Sequence, residues 1–287
     1  MALLRTSGLR CAVVGSPVAH SLSPPLHRAA YDALGLDWTY DAVEVDAEGL
    51  AGFLAGLDGR WRGLSLTMPL KRRLMALVTP NDEVDRWARM ARAGNTLVLG
   101  PRRVVANTDV PGAVEAIRSR VDTPVRRAVV LGGGATAGSV LLALAELGCA
   151  RATVLVREPR RATAAVAAAR RHPAGMQVET GRLDALLDTA PHGLDGADLL
   201  VSTVPAGAQD PALVAAVAAV PAVFEVVYDP WPSPLAAAAL ASGRPLVTGL
   251  DLLVAQAALQ VRLMTGAEEV PVAAMRAAGE RALAART

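Results

Sequence analysis

The sequence predicts an α/β protein in two domains, and three observations carry that prediction. Between residues 128 and 247, short apolar runs alternate with alanine-rich helical stretches, the pattern of a parallel sheet. One of those runs, 128–131, enters the glycine cluster Gly132-Gly133-Gly134 and leaves as a helical stretch stopped by Gly148. Past Thr248-Gly249 the alternation ends, and 250–264 and 271–285 read as two helices with no strand after either. A chain of 287 residues has room for two ordinary domains.

Taken in order, residues 10–14 read as a strand that ends in Gly15-Ser16-Pro17. A polar loop, 19–23, then runs into a helix with Ser23 as the expected N-cap and Pro24 at its first position. Its apolar face continues through Leu26, Ala30 and Leu34, and Gly35 closes it. Residues 38–45 form a second strand, 50–57 a short helix and 63–66 a third strand. Thr67-Met68-Pro69-Leu70-Lys71 follows at a strand-to-helix junction, where side chains point into the crevice at the carboxyl edge of a sheet. Residues 84–91 read as a helix, and 95–99 with 104–106 as a hairpin turning at Gly100-Pro101. Asn107-Thr108-Asp109 leads into a further helix. These elements make a first α/β domain, 1–112, which the helices of 250–287 are expected to complete by packing back against it.

The linker Asp122-Thr123-Pro124 opens the second domain, 124–248, with strands expected at 128–131, 152–156, 199–202, 223–228 and 245–247. Gly132, Gly134 and Ala137 give the form G-x-G-x-x-A, with Gly133, Ala135 and Thr136 between them. The glycines permit a tight turn and close approach of backbone to a pyrophosphate, and Ala137 permits close helix–strand packing. The exposed N–H groups of the helix's first turn then face the negative charge. Strand, turn, helix and strand in that order predict a Rossmann-type, doubly wound nucleotide domain. Arg157, Arg160 and Arg161 come directly after its second strand, interrupted by Glu158. An acid here favours the ribose hydroxyls of NAD and arginines favour the 2′-phosphate of NADP; three guanidinium groups against one carboxylate point to NADP(H).

Composition excludes several classes. The hydrophobic content is 52% with only 3% aromatic, so the core is built from small aliphatic side chains. A formal charge of +2, with no zinc-finger spacing and no aromatic–basic interleaving, argues against nucleic-acid binding. The two cysteines, Cys11 and Cys149, sit in apolar settings and read as reduced core residues. No uninterrupted apolar stretch approaches the roughly 20 residues that span a bilayer, and no leader segment is recognisable, so a cytoplasmic protein is expected. His20 and His27 lack metal-ligand spacing and no metal is expected; His172 and His192 read as surface residues.

A few polar residues need explaining. Lys71 is the only lysine of the chain and sits at a helix start, where the helix dipole disfavours a cation. It reads either as a solvated side chain or as a cationic acid or base beside a reacting oxygen. Asp109, at another helix start, reads as a dipole-favoured acid or as the partner that tunes that ammonium. Ser21, Ser23, Thr67, Asn95 and Gln256 are neutral donors and acceptors near element ends. Singly each reads as a cap or turn residue, and as a set they suit a polyhydroxylated small molecule. Gln256 lies in an otherwise apolar helix, where its amide needs a partner.

These motifs resemble those of the shikimate dehydrogenase family, and the resemblance spans nearly the whole chain. Residues 15–24 are similar to its substrate loop, G-x-P-x-x-H-S-x-S-P, which places Ser21 and Ser23 on the carboxylate-binding serines. Residues 63–71 are similar to G-x-N-V-T-x-P-x-K, whose lysine is catalytic and falls on Lys71. Asn95-Thr96 and Asn107-Thr108-Asp109 look like its two N-T elements, the second carrying the catalytic aspartate. Residues 228–235 resemble Y-x-P-x-x-T-P-L and 249–257 resemble G-L-x-M-L-x-x-Q-A. The resemblance implies Thr67, Asn95, Tyr228 and Gln256 as further substrate contacts, and Gly249 and Leu252 beside the nicotinamide. Three departures stand out. Ser65 replaces the pattern's Asn, Leu252 replaces a Met, and Val156-Arg157-Glu158-Pro159-Arg160-Arg161 keeps only the two arginines, Arg157 and Arg161, of N-R-T-x-x-R. The implied activity is reversible NADPH-dependent reduction of 3-dehydroshikimate to shikimate, in chorismate and aromatic amino acid biosynthesis, by a monomer or homodimer. The alternatives are a quinate/shikimate enzyme using NAD or both cofactors, and a non-catalytic NADP(H)-binding regulatory homologue.

Overall fold

The computed structural model describes residues 7–184, 194 and 196–286, so His192 lies outside the described residues. The chain divides into two compact units, Met1–Thr108 with Leu253–Thr287, and Asp109–Leu252.

The first unit is built on a six-stranded mixed sheet. Its strands are β1 (Arg10–Gly15), β2 (Thr39–Glu44), β3 (Trp61–Leu66), β4 (Glu83–Val84), β5 (Thr96–Val98) and β6 (Val104–Ala106), in the order β2-β1-β3-β5-β6-β4. β1 pairs in parallel with β2 and β3, and β5 runs antiparallel to both β3 and β6. Alternation along β1 sends Ala12 and Val14 to one face and Cys11 and Val13 to the other. Both faces are covered, which is why β1 reads as an unbroken apolar run. Leu64, Leu66, Leu70 and Leu74 close one core. On the other face Tyr31 and Tyr40 pack with Met264. Gly63 has no side chain to hold Met264 off, since a Cβ there would lie 2.6 Å from Met264 Cγ.

Four helices line this unit before the chain leaves it: α1 (Ser23–Ala33), α2 (Leu50–Ala55), α3 (Leu70–Met75) and α4 (Arg86–Ala91). Ser23 is the first residue of α1 rather than its cap. The hydroxyl of Ser21, two residues earlier, accepts the Ser23 N–H at 3.2 Å. The expected helix from 84 onward begins later, because Glu83 and Val84 pair with Val104 and Val105 and Asp85 caps α4 through the Ala88 N–H at 2.6 Å.

The second unit contains α5 (Asp109–Arg118) and six strands: β7 (Arg127–Leu131), β8 (Arg151–Val156), β9 (Gln177–Arg182), β10 (Leu199–Ser202), β11 (Ala222–Glu225) and β12 (Leu246–Thr248). All are parallel, in the order β12-β11-β10-β7-β8-β9. Numbered from β7, that is the 3-2-1-4-5-6 order of the doubly wound dinucleotide fold, with its switch point between β7 and β10. The helices between the strands are α6 (Ala135–Glu146), α7 (Thr163–Ala169), α8 (Pro211–Ala216) and α9 (Pro234–Ala241). α10 (Gly249–Thr265) begins in this unit and ends in the first, followed there by α11 (Val272–Ala284), which packs on α1.

Three further features depart from the reading by pattern. The edge strand β9 was not foreseen, because Gln177–Arg182 pairs on one side only and alternates no apolar residues. α5 packs against α6 and β12, so 109–112 belong to the second unit instead of the first. His172 is not a surface residue: it is buried, with Nε2 3.1 Å from Glu146 Oε2. Both cysteines are free and buried, and burial pushes the Cys11 thiol up to about 11. Among the described residues, no helix is long and apolar enough to cross a membrane, and no cluster of His, Cys, Asp and Glu could hold a metal ion.

Candidate active site

In the first unit the carboxyl ends of β1 and β3 bring two loops together. The Thr67 N–H bonds the Val14 carbonyl at 2.9 Å and the Ser16 N–H bonds the Met68 carbonyl at 2.9 Å. A Cβ on Gly15 would lie 2.3 Å from Thr67 Cγ2, so only glycine lets the serine loop and the lysine loop lie this close. Lys71 is half-buried in the first turn of α3, and its carbonyl accepts the Gly94 N–H at 2.8 Å, next to Asn95. Ser21 is half-buried and Ser23 buried at the start of α1.

Asn95 is 2% exposed and is the hub of a neutral cluster. Its Oδ1 accepts the Thr108 backbone N–H at 2.8 Å, and its Nδ2 donates to Thr108 Oγ1 at 3.0 Å and to Gln256 Oε1 at 3.3 Å. Gln256 Nε2 is held by the Leu253 carbonyl at 2.9 Å. Asp109, buried at the start of α5, is the next residue after Thr108. Lys71 and Asp109 fall in different units, as do Tyr228 and the other substrate candidates.

Pattern reading missed a second layer of polar groups. Gln260, 1% exposed, lies one turn after Gln256 on α10 and bonds Ser65, Thr96 and the Asn95 carbonyl. Ser65 in turn accepts from the Tyr40 hydroxyl at 2.6 Å. His27 stacks on Tyr40 at 3.9 Å and 18°. The i,i+4 spacing of two glutamines in one apolar helix was the available signal. Burial lowers His27 to about 4, opposed only by its bond to the Ser23 carbonyl and the nearby Gln260 side chain. It raises the Tyr40 phenol, so that group stays a protonated donor.

In the second unit Gly132 takes φ +103° directly after β7, a conformation that glycine adopts without strain. Its missing Cβ would sit 2.3 Å from Thr203 Oγ1, and that of Gly133 would sit 2.5 Å from the Arg161 carbonyl oxygen. The turn is thus pressed between the loop after β10 and the 3-10 turn Pro159–Ala162 that carries the arginines. Gly134, by contrast, faces open space, and as N-cap of α6 it leaves the first N–H groups, at Ala135, Thr136 and Ala137, with no side-chain cap. Such uncapped donors on a 12-residue helix fit a pyrophosphate. Arg157 and Arg161 are exposed, while Arg160 pairs with Glu158 at 2.6 Å.

Elsewhere in this unit, Glu225, buried at the end of β11, accepts from Gln209, Ser233 and the Val227 N–H, which stops the strand before Tyr228. Burial raises its carboxyl despite those bonds. Tyr228 is half-buried. Gly249 lies against the Val226 carbonyl, which a Cβ would approach to 2.3 Å, and Leu252 is buried three residues on.

A parallel sheet in dinucleotide order, a glycine turn at its switch point and a separate unit with a polar cluster beside a lysine define a nicotinamide-dependent oxidoreductase. Comparison with known proteins narrows the class. Residues 13–97 match the shikimate dehydrogenase substrate binding domain and residues 249–278 the shikimate 5'-dehydrogenase C-terminal domain. A shikimate dehydrogenase (NADP(+)) of Citrifermentans bemidjiense is 36% identical over 282 residues, covering 96% of this chain and 94% of the relative. The crystal structure of Mycobacterium tuberculosis shikimate dehydrogenase superposes with a TM-score of 0.82 at 36% identity, over 96% of this chain and 99% of that one. That of the Thermus thermophilus enzyme in complex with NADP(H) and shikimate gives 0.78 at 32% identity, with the same coverage. The chain belongs to the shikimate dehydrogenase family.

Proposed function

We propose that this protein catalyses the reversible NADPH-dependent reduction of 3-dehydroshikimate to shikimate. The observation that carries the reading is the buried neutral cluster of Asn95, Thr108 and Gln256 beside the Lys71 loop. Fixed neutral hydrogen bonds suit ring hydroxyls, and a single lysine suits one reacting carbonyl.

When bound, the cofactor supplies the hydride. The chain's own residues do the rest. Ser21 and Ser23 hold the substrate carboxylate from the start of α1, and Thr67, Asn95, Tyr228 and Gln256 hold the ring. As the carbonyl oxygen becomes alkoxide-like, the Lys71 ammonium stabilises it and gives it a proton, and Asp109 aligns that ammonium and bonds a neighbouring hydroxyl. In the oxidative direction, the neutral Lys71 amine takes the proton back. Gly132, Gly133, Gly134, Ala135, Thr136 and Ala137 cradle the pyrophosphate, with Gly249 and Leu252 at the nicotinamide. Arg157 and Arg161 take the 2′-phosphate. Their selectivity for NADP is supported by the pairing of the Glu158 carboxylate with Arg160 at 2.6 Å.

The test follows reduced-cofactor absorbance with shikimate and quinate, each with NADP and NAD. Shikimate with NADP is expected to be the best pair; a preference for quinate or NAD refutes the substrate or cofactor assignment. Lys71→Ala should lower kcat by about 10²–10⁴-fold with a modest change in shikimate KM. Turnover near that of the wild type removes Lys71 from the chemistry.

A further inference from the structure

Behind Asn95 runs a row of buried neutral side chains that bond one another. Tyr40 donates to Ser65 Oγ at 2.6 Å, and Ser65 donates to Gln260 Oε1 at 2.8 Å. Gln260 Nε2 donates to Thr96 Oγ1 at 3.0 Å and to the Asn95 carbonyl at 3.2 Å, and Thr96 donates to Asn95 Oδ1 at 2.9 Å. All five side chains are 4% exposed or less.

The direction of every bond is forced. A backbone carbonyl only accepts, so Gln260 must turn its amino group toward Asn95 and its oxygen toward Ser65. Ser65 has one proton, spent on that oxygen, so it must accept from Tyr40. Thr96 receives an N–H from Gln260, so its own proton goes to Asn95 Oδ1. The Thr108 backbone N–H, which only donates, reaches the same Oδ1 at 2.8 Å. Oδ1 thus takes the Thr96 hydroxyl and the Thr108 backbone N–H, with the Thr108 hydroxyl also 3.2 Å from it, and the Asn95 amino group is turned toward Thr108 Oγ1 and Gln256 Oε1. Ser65, which stands where the family pattern has Asn, has no proton left for a substrate.

We propose that Gln260 is a positioning residue that, acting through Thr96 and together with the Thr108 backbone N–H, holds the Asn95 amide in one orientation and thereby sets selectivity for the substrate's hydroxyls. The inference rests on the reading above that Asn95 touches the substrate. Without the Gln260 amide, the Asn95 carbonyl and the Thr96 hydroxyl lose a donor. Thr96 is then released from donating to Oδ1, the Thr108 backbone N–H is left as the remaining fixed donor on that oxygen, and the amide is held less firmly in the orientation that presents its nitrogen.

The experiment uses Gln260→Met, which fills the same space without hydrogen bonds, together with Ser65→Ala and Asn95→Ala. Steady-state constants are measured for shikimate, for deoxy analogues each lacking one ring hydroxyl, and for NADP. In Gln260→Met the shikimate KM should rise about tenfold, the effect of roughly one net hydrogen bond. Cofactor KM should hold and kcat stay within about twofold, since the chemistry is untouched. Discrimination against one deoxy analogue should shrink by about the same tenfold factor, a readout that loss of packing would not move. Ser65→Ala, which removes only the far anchor, should shift the same constants in the same direction by less, and it stands in if Gln260→Met does not fold. Unchanged shikimate KM and unchanged discrimination, in the presence of a raised KM for Asn95→Ala, overturn the proposal. So does a fall in kcat with both KM values held, the mark of a smaller fraction of active protein. An Asn95→Ala enzyme with wild-type shikimate KM instead overturns the underlying placement of the substrate.

Discussion

His27 should remain neutral far below the pH at which histidines ordinarily titrate, and acid should therefore weaken the fold through this one residue. The ring is fully buried, with Nδ1 2.9 Å from the Ser23 carbonyl, and Nε2 is buried with no hydrogen-bond partner. The titratable groups facing it, Tyr31 and Tyr40, are neutral phenols whose own ionisation burial pushes up. No ionised group there offsets a charge, and desolvation outweighs the Ser23 carbonyl and the Gln260 side chain, lowering the group from 6.5 to about 4. The sign follows directly. Between those two values the unfolded chain binds a proton that the folded chain does not, so stability is full above 6.5 and falls as the pH drops toward about 4. The interval corresponds to about 3 kcal/mol in full, of which about 2 kcal/mol is lost between pH 7 and pH 5. His27→Phe keeps a ring on Tyr40 and cannot take a proton. Relative to that variant, the unfolding free energy of the wild type should fall by about 2 kcal/mol over this range in chemical denaturation. In NMR, the His27 ring resonances should stay flat down to about pH 5. A midpoint near 6.5, or parallel stability curves for the two proteins, would refute the claim that burial governs this site.

Four further outcomes test the second unit. A Cβ on Gly133 would meet the backbone of Arg161 and Ala162 at 2.5 and 2.8 Å, so Gly133→Ala should cost about 1–3 kcal/mol of stability and raise the NADP KM. Gly134→Ala, facing open space, should raise the cofactor KM with its unfolding midpoint unmoved; equal destabilisation by both would refute the distinction. Replacing both Arg157 and Arg161 with Ala should raise the NADP KM about 10–100-fold for each charge-assisted hydrogen bond removed and leave the NAD KM nearly constant, read as the ratio of the two. Asp251 is 1% exposed; burial pushes its carboxyl up, but bonds from Arg120 at 3.0 Å and from Thr248 outweigh this and hold it low. Its contribution is therefore present at neutral pH and lost as the pH falls below 3.8. Asp251→Asn should cost about 1–2 kcal/mol at pH 7 in denaturant unfolding, Arg120 being half-exposed, and the difference should shrink in acid.

The sequence by itself determined the fold class, the glycine turn and the family. Each of these is written in local spacing: period-2 and period-3.6 apolar runs, glycines that only a tight turn requires, and motifs in fixed order along one chain. It also marked Lys71 by rarity and Gln256 by a polar amide in an apolar helix. Strand β9 and the start of α4 were not legible, because an edge strand needs no apolar alternation and a two-residue strand is fixed only by its partner, β6. Only the tertiary structure revealed that Gly133 lies against the arginine turn, and that Ser65, Thr96 and Gln260, far apart in the chain, close into one buried row. Such groups carry no signature in sequence. A buried hydroxyl or amide is polar by composition, and what it does depends on which donor or acceptor, tens or hundreds of residues away, the fold sets within 3 Å of it.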